Sequence, residues 1–332
     1  FLQAPSTNDS GLLSAATLDF SLEQFAPGNS AAVIGSGPFT ITEETIGSTL
    51  TLTARDDYDW APPTRGHEGR PYLDEVRISV TPEDSVRVGG LISGQADLIR
   101  AVEAQDEAQV RDSGFTVYAP QTNGVNNHLS LRFRGDVLAD IRVRQALIAG
   151  IDRQEVIDVI YTDSYPLATS ILSKGAVGYI NTEDAFAFDA KRAERLLDEA
   201  GWLPGAGGIR EKNGVSLTLV ANESAAQARS FEALTLISQQ LAKIGVDLQI
   251  LKADAGTAAE AVRDGDRVQL SHAMVARADL DVIKSEFYST NRNTLLNLNY
   301  DDTSIGDEQL EELLRAVASE PDAAKRTTNS QA

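Results

Sequence analysis

A hydrophobic strand that runs directly into charged side chains is the clearest place in this sequence for binding chemistry. The segment LSHAMVARADLD, residues 270–281, ends with Arg277, Asp279 and Asp281 at alternate positions. A guanidinium or a carboxylate there can pair with a charge on a ligand once water is excluded. The same charges could instead cap the helix predicted for the next segment, DVIKSEF. Both interpretations are consistent with the sequence.

Two polar residues that follow an earlier predicted strand are weaker candidates of the same kind. Asn222 and Arg229 come after the apolar run 217–221. Each could contact a ligand, or each could be an ordinary loop residue.

Catalytic and metal chemistry find little support in the residue types and their spacing. The absence of cysteine excludes disulfides, thiolate metal sites and cysteine nucleophiles. His67, His128 and His272 lie far apart without ligand spacing, and His128 and His272 are predicted to be structural. GSGPF at 35–39 lacks the Gly-Lys-Ser/Thr ending of a phosphate-binding loop and predicts a turn that leads into a strand. The sequence therefore predicts binding rather than catalysis, without catalytic residues, metal site or cofactor.

Composition narrows the classes of partner. The 49 acidic and 29 basic residues give a formal net charge of −20, which argues against nucleic acid or anionic lipid as a partner. No run of about 18 apolar residues predicts a membrane span. The chain opens on FLQAPSTNDSGLL without methionine, so we expect a fragment whose targeting signal lies outside it.

Alternating strands and helices in the second half must position the charged candidates. The pattern predicts a largely parallel sheet, because strands that alternate with helices are joined by crossover connections. Ligands of such sheets lie beyond the carboxyl ends of the strands, here after Val220 and Met274. The predicted elements are strand 215–222, helix 226–244, strand 245–253, helix 256–263 and strand 268–276.

The remaining segments are predicted from periodicity and capping residues. Asp84, Asp152 and Asp189 are predicted helix N-caps, and Glu155 has capping-box spacing to Asp152. The other predicted elements are a hairpin at 38–54 with its turn at Gly47-Ser48, strands at 76–82, 96–102, 115–120 and 128–133, helices at 104–112, 140–151 and 307–318, and a helix that stops at Gly94.

Several longer segments occur in a specific order across most of residues 33–326. They are GSGPFTITEETIGSTLTLTARDDYDW, RPYLDEVRISVTPEDSVRVGGLISGQADLI, DIRVRQALIAGIDRQEVIDVIY, FAFDAKRAERLLDEAGW, GIREKNGVSLTLVAN, ISQQLAKIGVDLQI and DAAKR. This ordered set resembles the family 5 extracellular solute-binding proteins, which are the dipeptide, oligopeptide and nickel receptors of ABC importers.

The resemblance implies an α/β, periplasmic-binding-protein-like type II fold with two lobes that close around a solute. It implies that residues 1–125 are the remainder of an incomplete first lobe. Residues 126–332 would form a second lobe with a mixed or parallel sheet, lacking the C-terminal return to the first lobe. The chain would then be the later part of a longer receptor.

The resemblance also implies where a solute binds. Peptide-binding members hold an ammonium group with an aspartate just past the strand that matches 268–276, and here Ala276 takes that place. An alanine cannot offset the desolvation of an ammonium, so a carboxylate-bearing or otherwise anionic solute becomes plausible if Arg277 faces the cleft. Aromatic positions of the family correspond to Ala273 and to Val177 in Val177-Gly178-Tyr179. The implied ligand contacts are Ala273, Met274, Val275, Ala276, Arg277 and Asp279, with Asn126, Asn127, Asn222 and Arg229 as weaker candidates.

The function implied by the resemblance is capture of a peptide-like or other small polar solute and its delivery to the transmembrane permease of an ABC importer. The protein would be a monomer located in the periplasm, outside the cell or at the cell surface through a lipid anchor. Two alternatives stay open at this point: a secreted hydrolase that acts on peptides or sugars, and a receptor-like signalling module without transport.

Overall fold

The chain divides into two compact units, Phe1–Thr116 and Val117–Ala332. The computed structural model describes residues 13–17, 19–63, 66–132, 136–224, 227–264, 266–288 and 307–332. The division at 116/117 precedes the lobe boundary expected from the resemblance at 125/126, which stays a prediction.

Unit 1 contains a three-stranded antiparallel sheet in the order β1-β2-β3, formed by β1 (Phe39–Thr45), β2 (Thr49–Ala54) and β3 (Glu75–Ser79). The predicted hairpin is confirmed, because β1 and β2 pair around a tight turn in which the Ser48 N–H donates to the Thr45 carbonyl at 2.9 Å. GSGPF precedes β1 as a bend, as predicted.

The α-helices in the described part of unit 1 are α1 (Asp84–Ile92) and α2 (Glu107–Asp112). Asp84 was predicted as the N-cap of α1, but Glu83 holds that position and the Asp84 carboxylate forms an ion pair with Arg87 instead. The predicted stop of α1 is confirmed, since the Gly94 N–H donates to the Leu91 carbonyl at 3.1 Å.

The strands predicted at 96–102 and 115–120 are wrong, because neither segment is extended against a neighbouring strand. The Gln95 and Ala96 N–H groups both donate to the Gly90 carbonyl. The segment 96–102 therefore begins in the hydrogen-bonded turn that ends α1. Leu98 and Tyr118 are 80% and 84% exposed. The alternating apolar residues of these two segments therefore do not pack against a hydrophobic core, which a strand pattern would require.

Unit 2 contains the remaining elements. In chain order they are β4 (Gly124–Leu131), α3 (Ile141–Gly150), α4 (Arg153–Ile160), α5 (Ala190–Glu199), β5 (Leu203–Pro204), β6 (Arg210–Lys212), β7 (Val215–Ser216), β8 (Thr218–Asn222), α6 (Ser230–Ala242), β9 (Asp247–Leu251), α7 (Ala255–Ala261), β10 (Leu270–Ala276), α8 (Val282–Phe287), α9 (Glu308–Ser319) and α10 (Ala323–Gln331). The strand β8, helix α6, strand β9, helix α7, strand β10 alternation predicted from the sequence is confirmed.

The main sheet of unit 2 has the strand order β4-β10-β8-β9. β8 is parallel to both β9 and β10, whereas β4 is antiparallel to β10, so the predicted largely parallel sheet is confirmed. The register between β10 and β8 is staggered. Ser271 pairs with Asn222, the last residue of β8, and β10 continues for five residues beyond that point, to Ala276.

Aspartates begin several helices of unit 2, as their sequence positions predict. Asp152 accepts from the Gln154 and Glu155 N–H groups, and Asp189 accepts from the Arg192 N–H. Such caps satisfy N–H groups that the first helical turn leaves unpaired. The Glu155 carboxylate does not complete a capping box. It accepts from the Gln240 side chain at 2.7 Å and thereby ties α4 to α6.

Two hydrophobic clusters stabilise the part of unit 2 that the structure describes. The first cluster packs α3, α5 and α6 against β8, β9 and the start of β10. The second cluster is smaller, and it packs α8 and α9 with Val125 of β4, Leu172 and the partly buried Val275 of β10. The second cluster therefore supports the end of β10, where the charged candidates begin.

Candidate functional site

The carboxyl end of β10 lies against the amino end of β4. Val275 and Ala276 pair with Val125 and Gly124, and the Arg277 N–H donates to the Asn123 carbonyl at 2.7 Å. Gly124 has a φ of +121°, and a Cβ placed on it would lie 2.4 Å from the Val275 carbonyl oxygen and 2.7 Å from the Arg277 nitrogen. Only glycine allows this close approach, which fixes the backbone where the Arg277 side chain departs.

A third segment of unit 2 packs on the same place. Leu172 forms a bridge with Val125, and the Ser173 N–H donates to the Gly124 carbonyl at 2.8 Å. A Cβ on Gly178 would lie 2.7 Å from the Leu280 side chain, in the loop after β10. Val177 is 60% exposed beside this contact. The structure thus brings Val177-Gly178-Tyr179 next to the Arg277 segment, and their role in lining a pocket stays a prediction.

Charged side chains of the loop after β10 have different partners. The Asp279 carboxylate forms a two-pronged ion pair with Arg326 of α10, and one of its oxygens accepts from the Asp281 N–H at 2.9 Å. The hydrogen bonds from Arg326 are the main cause that holds the pKa of Asp279 below its usual value. Arg277 Nη1 lies 3.6 Å from Asp281 Oδ1, which is too long for a hydrogen bond.

These contacts bear on whether the charged side chains after β10 cap helix α8 or are available to a ligand. Asp281 holds the N-cap position of α8, but its side chain makes no capping hydrogen bond. The Asp279 carboxylate contacts the backbone one residue before the helix and is committed to Arg326. Within the described residues, Arg277 is therefore the candidate that keeps donors for a ligand, and a ligand role for any of these residues remains a prediction.

Of the four weaker candidates, Asn126 and Arg229 have side-chain contacts within the fold, and Asn222 pairs through its backbone. Asn126 Nδ2 donates to the Ser170 and Leu172 carbonyls at 2.9 and 3.0 Å, whereas Asn127 is exposed on β4. Asn222 is 8% exposed and pairs with Ser271, six residues before Arg277, which is roughly 20 Å along the strand. Arg229 precedes α6 and lies 3.6 Å from Glu232. The stagger of β10 thus separates the ends of β8 and β10, which the sequence placed at one edge.

A polar cluster between β10 and α6 was not predicted from the sequence as a unit. Ser230 Oγ lies 2.7 Å from His272 Nδ1 and also accepts from the Ser224 N–H at 3.1 Å. His128, on β4, has its ring nitrogens 2.7 Å from the Asn126 carbonyl and 3.0 Å from Ser130 Oγ. Both histidines are hydrogen-bonded within the fold, as predicted. Residue types alone gave no signal for the Ser230 contact, which spans 42 positions.

Burial of His272, with a smaller effect from the nearby His128, lowers its pKa from 6.5 to about 4. The unfolded chain therefore binds a proton near pH 6.5 that the folded chain binds only near pH 4. The stability that depends on neutral His272 is complete above pH 6.5 and is lost as the pH falls toward 4. From pH 7 to pH 5 we expect the free energy of unfolding to fall by about 2 kcal/mol through this residue.

Urea unfolding of the wild type and of His272→Asn at pH 7 and pH 5 checks this expectation. Asparagine can place a hydrogen-bonding atom near the position of Nδ1 but has no proton to gain. The free energy of unfolding should fall between pH 7 and pH 5 by about 2 kcal/mol less in the variant than in the wild type. An equal pH dependence in both proteins would assign the effect to other groups.

Within the described ranges, no helix is both long enough and apolar enough to cross a membrane.

Comparisons with known proteins assign the family of this chain. The sequence model of the bacterial extracellular solute-binding proteins, family 5 (middle region), matches residues 3–289. The oligopeptide-binding protein AppA of Bacillus subtilis is 26% identical over 219 residues, which are 65% of this chain and 39% of that protein. Protein XP55 of Streptomyces lividans is 30% identical over 228 residues, 65% of this chain and 38% of that protein. The chain spans about two fifths of the length of these curated relatives.

A solved structure agrees with the fold. The periplasmic binding protein DppA from Helicobacter pylori, in complex with the peptide STSA, superposes with a TM-score of 0.71 at 19% identity. The match covers 96% of this chain and 59% of that one. Proteins of this family bind solutes rather than catalyse reactions, and they work in the periplasm or outside the cell. By the match over most of its length, this chain belongs to the bacterial extracellular solute-binding proteins of family 5.

Proposed function

We propose that the whole protein is the solute receptor of an ABC importer, which captures a peptide-like or other small polar solute and delivers it to the permease. The observation that carries the proposal is the family match over residues 3–289. AppA is named for oligopeptides and the DppA structure holds a peptide, and we extend that solute class to this chain. The receptor would act in the periplasm, outside the cell or at the cell surface through a lipid anchor.

The end of β10 supports a solute with an anionic group. Ala276 offers no carboxylate for an ammonium, and the next side chain is Arg277, which is 31% exposed and makes only a long contact to Asp281 among the described residues. A guanidinium with free donors binds a carboxylate by two parallel hydrogen bonds. We therefore assign Arg277 to a carboxylate or similar anionic group of the solute.

The backbone of β10 supports main-chain contacts to an extended solute. Beyond Ser271 the strand keeps β4 on one side, but no strand pairs with its other side within the described part of the chain. Backbone N–H and C=O groups on that side can pair with an extended peptide. Ala273, Met274, Val275 and Ala276 would contribute through these groups, whereas Asp279 is occupied by Arg326.

We propose that the receptor is not catalytic, although Ser230 and His272 are in contact. Ser230 is only 2% exposed, so its hydroxyl is not accessible to a substrate. The low pKa of His272, about 4, also makes it a weak base at neutral pH. Turnover that a single substitution of an aspartate or histidine abolishes would favour the hydrolase instead.

Native mass spectrometry of the full-length protein as purified, followed by a thermal-shift screen with peptides and organic acids, tests the proposal. Turnover is measured on the same compounds. Acidic compounds should stabilise the protein without being converted. Arg277→Gln should weaken their binding by roughly 10- to 100-fold, because a hydrogen bond to a charged group contributes about 1.5–3 kcal/mol.

Arg195→Gln is the matched control, because Arg195 is an exposed arginine of the same unit. It should leave both the affinity and the thermal stability unchanged. Equal affinities of acidic compounds for Arg277→Gln and the wild type would contradict the assignment of Arg277.

A further inference from the structure

The loop after β10 is tied to α10 by an ion pair that joins distant parts of the sequence. Arg326 Nη1 donates to Asp279 Oδ2 at 3.2 Å, and Nη2 donates to Oδ1, across a separation of 47 residues. The third nitrogen of this guanidinium, Nε, donates to the Val317 carbonyl of α9 at 2.7 Å. Arg326 is thus held by backbone on one side while it holds Asp279 on the other.

The helix that carries Arg326 is itself fixed beside the candidate site. Asp322 caps α10 by accepting from the Lys325 N–H. A Cβ on Gly178 would lie 2.5 Å from Ser330 Oγ, so α10 also contacts the segment that carries Val177. The Arg326 side chain is 22% exposed, compared with 44% for Asp279. The cation is the more buried and the better anchored member of the pair.

The loop after β10 and α10 bring together four charged side chains. They are Arg277, Asp279, Asp281 and Arg326, and the way they pair determines which donors Arg277 keeps for a ligand. Arg326 occupies both oxygens of Asp279, and among the described residues Arg277 has only the 3.6 Å contact to Asp281. Arg277 and Asp279 are two positions apart on one loop, and both contact Asp281: Arg277 Nη1 lies 3.6 Å from Asp281 Oδ1, and the Asp281 N–H donates to Asp279 Oδ1 at 2.9 Å. Among the described residues of this loop, removal of Arg326 would leave the carboxylates of Asp279 and Asp281 with the guanidinium of Arg277.

We propose that Arg326 is a positioning residue that sequesters Asp279 and thereby keeps the Arg277 guanidinium available to the anionic group of a solute. This inference rests on the proposed function of Arg277. Without Arg326, Asp279 competes with the solute for Arg277, and the site loses its preference for anions. Lysine cannot replace Arg326 fully, because its single ammonium lacks the planar fork that reaches Val317 and both oxygens of Asp279.

Chemical modification of Arg277 tests the inference without knowledge of the natural solute. Phenylglyoxal reacts with accessible guanidinium groups, and peptide mass spectrometry after cleavage at acidic residues gives the rate at each arginine. The full-length wild type is compared with Arg326→Gln, Asp279→Asn and the double variant. We expect the rate at Arg277 to fall by up to about fivefold in Arg326→Gln, because a partly exposed ion pair contributes up to about 1 kcal/mol, and to return to the wild-type value in the double variant.

Two other arginines serve as internal controls in the same digest. Arg195 is exposed and should react at one rate in all four proteins. Arg210 is 6% exposed, so its modification reports loss of the fold. If Arg326→Gln unfolds by this criterion, Arg326→Met is measured instead, with and without Asp279→Asn, because methionine can fill the space of the aliphatic stem without offering Asp279 a donor.

The outcomes separate this inference from the proposed function. An unchanged or faster rate at Arg277 in the folded Arg326 variant would overturn the positioning role, whatever the protein binds. Slower modification that Asp279→Asn reverses would support it, even if Arg277→Gln leaves binding of acidic compounds unaffected. In that case the role of Arg277 in solute binding would be the part that fails.

Discussion

Gly124→Ala is expected to destabilise unit 2 by about 3 kcal/mol or more and to abolish the solute binding that we propose for the end of β10. Two costs add at this position. A φ of +121° is unfavourable for any residue with a Cβ, and the added carbon would collide with the backbone at Val275 and Arg277 rather than with a flexible side chain. Relief of the collision requires that β4 and β10 separate where the Arg277 backbone is fixed.

Urea unfolding and the thermal-shift screen measure both parts of this prediction. Gly175→Ala is the matched control, because Gly175 lies in the same unit and a Cβ there would have no heavy atom within 4 Å. The control should unfold within about 0.5 kcal/mol of the wild type. A Gly124→Ala protein with wild-type stability would show that the two strands can separate at little cost.

Arg210→Leu is expected to lower the free energy of unfolding by about 3 kcal/mol, because it leaves buried acceptors without donors. Arg210 is 6% exposed, and its Nε and Nη1 donate to the Ile244 and Trp202 carbonyls, each at 2.8 Å. Nη1 also pairs with Asp198. The half-exposed Asp198 can regain water, so most of the cost comes from the two carbonyls.

Chemical denaturation of Arg210→Leu beside Arg195→Leu isolates the effect of burial, since both replacements remove one guanidinium from unit 2. The exposed position should change stability by no more than about 0.5 kcal/mol. If both variants lose the same free energy of unfolding, the loss of one positive charge, and not the carbonyl contacts of Arg210, would explain the effect.

Local sequence signals predicted much of the fold. Asp152 and Asp189 began helices as expected, because a cap depends on residues only two or three positions away. The alternation of strands and helices from β8 to β10 was also predictable, since each element has its own hydrophobic period. The two false strands failed because periodicity cannot reveal whether a neighbouring strand exists.

Nonlocal contacts were the part of the site that the sequence could not predict. The sequence indicated Arg277 and Asp279 as charges after a strand, but it gave no sign that Arg326 would occupy Asp279 from 47 residues away. The stagger that separates Asn222 from Arg277 is likewise a matter of strand register. Register depends on which side chains meet across the sheet, and a single sequence records that only indirectly.

The two hydrophobic clusters of unit 2 differ in size, and this difference sets where the native state opens most readily. The cost of a local opening rises with the apolar contacts that it breaks, so the smaller cluster around α8 and α9 should exchange its amide protons before the larger one. That cluster also supports the end of β10. A solute that binds only the intact arrangement would suppress these openings by mass action, and its binding would be detected as slower amide-proton exchange in the smaller cluster.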